Sequence, residues 1–155
     1  MTNKLFFAVA TALIATTALV QGANADSVST TGFTNSAATP SSGVSSASSA
    51  AVGSGSNPTA GSASVSTAGK GYAAAETISG AKAGNVAIVG AASSTAISGK
   101  SGSTAGAGAL IGGIGSGTVG AVTSVLTEKK FAGASSEYGG SLVSPVKVHK
   151  YYYGH

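Results

Sequence analysis

The sequence predicts a largely disordered, low-complexity chain rich in Gly, Ala and Ser, with no globular fold. Three observations carry that expectation. Gly supplies 24 of the 155 residues, and the chain has neither Trp nor Cys. Charged residues make up only 8% of it. Large apolar side chains are sparse, and a buried Leu, Ile or Phe returns about 1.5 to 3 kcal/mol against roughly 1 to 2 kcal/mol of backbone entropy for every residue ordered. Three exceptions are expected: a signal-peptide helix, one helix over about residues 105–127, and a short C-terminal strand.

The N-terminal element spans residues 1–25. A short basic start holds Lys4, an uncharged apolar run extends from Leu5 to Val20, and a small-residue stretch ends in Ala23-Asn24-Ala25. That order is the signature of a cleavable secretory signal, with Ala23 and Ala25 framing the cleavage position. The run falls short of the roughly 20 apolar residues that a spanning helix needs. The working chain is therefore expected to begin near Asp26 and to be secreted, whether periplasmic, in the outer envelope or extracellular. With no Cys it can carry neither a lipidated cysteine nor a disulfide.

Charge narrows the partners. The formal net charge is +4 with no Arg, and without Lys4 seven Lys remain against Asp26, Glu76, Glu128 and Glu137, giving 7 − 4 = +3. The lysines are scattered, so nucleic-acid recognition is not expected. Mild attraction to anionic surfaces is what this charge supports.

Residues 26–69 are Ser, Thr, Ala and Gly punctuated by Pro40 and Pro58, a linker-like composition. The second reading of this segment is a small-residue β-array in which Ser, Thr and Ala stack tightly. Residues 70–104 give conflicting signals. Ala73-Ala74-Ala75-Glu76 favours helix and Asn85-Val86-Ala87-Ile88-Val89 favours strand.

Residues 105–130 are the most patterned. On a helix, Gly108, Gly112, Ser116 and Gly120 recur every four residues as a ridge of small residues, with Ile111, Ile114, Thr118, Val122 and Val125 on another part of the surface. Through those four small residues, this stretch of about 20 residues resembles the glycine-zipper segments of bacterial envelope proteins. The resemblance implies close helix packing by self-association or in a membrane. A silk-like strand from the Gly-Ala-Gly-Ala run at Gly106, or a plain linker, are the other readings, because each Gly costs a helix about 0.8 to 1.0 kcal/mol relative to Ala.

Residues 131–155 form an aromatic, basic tail. Val146-Lys147-Val148-His149 alternates as a half-buried strand would, and Tyr151, Tyr152 and Tyr153 beside Lys150 suit surface adhesion. Outer-membrane barrels commonly finish in an aromatic-ended strand, but the repeated strands of about ten residues that a barrel needs are not expected upstream.

No catalytic constellation emerges. Gly115-Ser116-Gly117-Thr118-Val119-Gly120 fits a dinucleotide-binding pattern without the strand and parallel sheet that the pattern requires. Gly99-Lys100-Ser101 lacks the upstream Gly of a phosphate loop, since that position is Ser94. The two His lie within the last seven residues, too few and too close to the end for a metal site. The expectation is a non-enzymatic structural or interaction protein without cofactor, acting by assembly or adhesion. The alternative is a membrane-active protein that uses the glycine-zipper segment.

Overall fold

The computed structural model describes residues 25–145, and among them there is no helix. Eight strands follow in chain order: β1 (Ser27–Thr39), β2 (Ser42–Ser54), β3 (Thr59–Gly69), β4 (Tyr72–Ala83), β5 (Val86–Ser98), β6 (Ser103–Ile114), β7 (Ser116–Glu128) and β8 (Phe131–Val143). All pairings are antiparallel. One sheet has the order β2-β1-β8-β7 and the other β3-β4-β5-β6, packed face to face.

This overturns three expectations. Residues 26–69 are not disordered but form β1, β2 and β3, which accords with the small-residue β-array. The segment over 105–127 is not a glycine-zipper helix: it is β6 and β7, separated by Gly115 at φ 145°, where a side chain would be strained. Repeated strands do run through the chain, each 11 to 13 residues long. The strand expected at Val146–His149 lies outside the described residues; β8 occupies the first half of the tail segment instead.

Alternation of small side chains explains why such a chain folds. Along β1, Val28, Thr30, Gly32, Thr34, Ser36 and Ala38 point inward. Along β4, Ala73, Ala75, Thr77, Ser79, Ala81 and Ala83 do the same. Ala, Gly, Ser and Thr lose little rotamer freedom on burial, which lowers the entropic cost, and the central strands β1, β8, β4 and β5 pair in ladders on both sides. Larger residues gather at one end of the interior, where Val28, Val86, Ile88 and Leu142 form the main apolar cluster.

The turns are short. Pro40-Ser41, Lys70-Gly71, Gly84-Asn85 and Lys129-Lys130 each join two strands, with Gly71 at φ 78° in a conformation open to Gly. The antiparallel order places Lys70, Lys100, Lys129 and Lys130 in turns at one end of the sandwich. Asp26 fastens the opposite end. Its Oδ1 accepts a hydrogen bond from Ser56 N at 2.7 Å and its carbonyl accepts one from Ser144 N at 2.8 Å.

Candidate functional site

Three regions have the chemistry to be considered. The first is the interior. Hydroxyls cross between the sheets: Ser36 Oγ lies 2.9 Å from Ser94 Oγ, Ser136 Oγ donates to Ser93 O at 2.7 Å, and Ser79 Oγ lies 2.7 Å from Tyr138 Oη. Thr30 also bonds Ser79. These groups are buried, and neither an acid nor a base stands among them to activate a hydroxyl. They act as cross-links that fix how the two sheets register, because an unpaired buried hydroxyl would cost about 1 to 3 kcal/mol.

The second region is the outer face of the β3-β4-β5-β6 sheet. A shallow depression of about 580 Å³ there is lined by Ala63, Val65, Glu76, Ile78, Ala91 and Leu110. Large apolar side chains stand exposed around it, among them Val89 and Ile114. Glu76 is the one carboxylate in the lining, and its neighbours on that face, Ala74, Ile78, Val65 and Ser93, include no cation. The outer face of the first sheet is mixed: Ser29, Thr31 and Asn35 on β1 and Ser135, Glu137 and Ser141 on β8 stand beside Phe33, and Val44, Val52, Val122, Leu126 and Val143 are exposed on the same face. Apolar side chains therefore stand exposed on the outer faces of both sheets.

The third region is β7. All 13 of its residues are exposed, and among the described residues it pairs with β8 alone. Its register with β8 sets Val119 opposite Gly140 and Val125 opposite the buried Ala134, on the face that points inward. Yet Val119 and Val125 remain 47% and 50% exposed. On the other face Val122 and Leu126 are exposed as well. The strand thus presents apolar residues on both faces and a free backbone edge, with no Pro and no charge before Glu128.

The residues singled out from the sequence end up apart. Gly108 and Gly112 lie on β6, opposite Ser93 and Val89, whereas Ser116 and Gly120 lie on β7, opposite Val143 and Gly139. All four face outward, because a spacing of four returns to the same face of a strand as it does on a helix. They form no single ridge, since β6 and β7 belong to different sheets. The accompanying apolar row is split too: Ile111 and Val125 turn inward while Ile114, Thr118 and Val122 turn outward. The dinucleotide-like stretch Gly115–Gly120 runs into edge strand β7, with no helix after it to receive a phosphate. Ala25 is exposed just before the fold begins. Ala23 and the Tyr151–Tyr153 triplet lie outside the described residues.

Sequence reasoning missed Tyr138 as the largest buried side chain and Val119, Val122 and Val125 as an exposed set. The signal for the latter was present as a run of Val at every third position, which on a strand alternates between faces. Among the described residues no group of three or more His, Asp or Glu stands close enough to hold a metal ion. No helix among them is long and apolar enough to cross a membrane. No protein-family model, curated protein or solved structure matches the chain.

Proposed function

We propose that this is an exported, non-enzymatic structural protein of the cell envelope or extracellular space that works by assembly through strand edges. The observation that carries this reading is β7, exposed along its whole length and apolar on both faces. Proteins that remain single copies normally blunt such an edge with Lys, Pro or a bulge among other devices, and β7 has no Lys or Pro inside its span and an unbroken register with β8. Export is supported by the N-terminal pattern of residues 1–25 and by Asp26, whose carboxylate and carbonyl both bond into the fold directly after the expected cleavage position.

Sedimentation velocity of the purified chain starting at Asp26, over a wide concentration range, tests the reading. Growth of larger species with concentration is expected. A single monomer-sized species throughout would overturn it.

The outer face of the β3-β4-β5-β6 sheet supports a second reading, adhesion. Its apolar surface around Glu76, which has no cation beside it among the described residues, suits a partner that presents apolar groups together with a cation. The glycine-zipper helix is not part of either reading.

A further inference from the structure

Resting on the assembly reading, we propose that β7 pairs with β7 of a second copy, antiparallel, about a two-fold axis through Val122. The two β2-β1-β8-β7 sheets then become one eight-stranded sheet across two molecules.

The choice of edge follows from how the two seams of the sandwich differ. At the first seam, β2 and β3 are laced by side chains: Ser45 Oγ donates to Thr67 O at 2.8 Å, Ser49 Oγ donates to Ala63 O at 3.0 Å, and Ser49 Oγ lies 2.9 Å from Ser64 Oγ. At the second seam, among the described residues, no side-chain hydrogen bond joins β6 to β7. β6 lies beside β7 there, but among the described residues the outer edge of β7 is hydrogen-bonded to no strand.

The register follows from the sequence of β7. A two-fold axis at Val122 sets Val119 opposite the second copy's Val125 on the inward face, and Val122 opposite its own counterpart on the outward face. Thr118 then meets Leu126, and Ala121 meets Thr123. Moving the axis by one residue, to Ala121 or Thr123, dissolves every Val pair: Val119 would meet Thr123 or Thr127, and Val122 would meet Gly120 or Ser124. A pairing that sets residues of unlike faces opposite each other breaks the pleat. Only the axis at Val122 matches Val with Val on both faces, and such β-branched cross-strand pairs are what stabilise a ladder.

Charge selects the antiparallel direction. A parallel, in-register pairing would stack Glu128 on Glu128 and bring the Lys129-Lys130 turns side by side. About the two-fold axis those groups stand roughly 40 Å apart, taking about 3.4 Å per residue over twelve residues.

Cysteine cross-linking tests this cleanly, because the natural chain has no Cys. Directly opposed residues in an antiparallel pair have Cα atoms about 4.5 to 5.5 Å apart, within disulfide range. Val122→Cys should become a disulfide-linked dimer under mild oxidation. Val119→Cys mixed with Val125→Cys should cross-link, while either variant alone should not. Ser48→Cys, exposed on β2, serves as the control, and far-UV circular dichroism checks that each variant keeps the strand spectrum. Val122 is 69% exposed, so its replacement leaves the core intact. If the protein associates but Val122→Cys cross-links no better than Ser48→Cys, this pairing is wrong while assembly stands. If the natural chain stays monomeric at every concentration, both fall.

Discussion

The ring of Tyr138 on β8 lies against Gly90 on β5, in the space that a β-carbon at position 90 would need. Gly32 on β1 leaves room for the same ring from within the first sheet. One large residue is thus seated between two glycines, and its hydroxyl is held by Ser79. This explains how a core made mostly of Ala, Ser and Thr admits a Tyr that is 1% exposed.

Gly90→Ala should therefore be destabilising, by about 1 to 3 kcal/mol as expected for overpacking. In a Tyr138→Leu background the same change should cost less, with a coupling of at least about 0.5 kcal/mol between the two sites. Chemical denaturation of the four proteins of the cycle measures both. Additive effects would mean that the ring does not occupy that space.

Thr77 on β4 faces inward, and its hydroxyl has no hydrogen-bond partner among the described residues. A buried, unpaired hydroxyl costs about 1 to 3 kcal/mol, and Val has nearly the same shape. Thr77→Val should raise the unfolding midpoint, a direction opposite to that of most core substitutions. Ser36→Ala should lower it, because Ser36 is bonded to Ser94 and its loss leaves that partner short.

Gly112 and Gly120 face open space on β6 and β7, with no atom near an added β-carbon. Gly112→Ala and Gly120→Ala should be neutral or stabilising by up to about 1 kcal/mol. A glycine-zipper helix would give the reverse result, since its close approach depends on Gly at those positions. Thermal unfolding of the two variants separates the outcomes.

The alternation of β4 shows why the fold was hard to read. Ala73, Ala75, Ser79 and Ala81 point in, while Tyr72, Glu76, Ile78 and Lys82 point out. Large apolar and charged residues share the outer face, so hydropathy does not alternate even though side-chain size does. In β1 and β2 nearly every residue is small, and inside and outside differ too little for any scale to separate them. The segment around Gly108 to Gly120 misled for another reason. A four-residue spacing fits both a helix and a strand, and the break at Gly115 carries no Pro or charge to mark it. What was legible was the strand preference of Val86-Ala87-Ile88-Val89, which lies in β5; Pro40 and Asn85, read as linker and strand, instead stand where the chain reverses. By sequence Tyr138 belongs to the aromatic tail, because nothing in its own neighbourhood announces Gly32 or Gly90, which are distant in sequence.

The apolar edge of β7 is the centre of the functional account, and amide hydrogen exchange read against protein concentration tests it most directly. The amides of β7 that point away from β8 have no backbone partner among the described residues and should exchange quickly in dilute solution. As concentration rises, protection should appear over Thr118–Leu126 while the edge amides of β2 keep their rate. Exchange of β7 that is equally fast in dilute and concentrated protein would contradict the account.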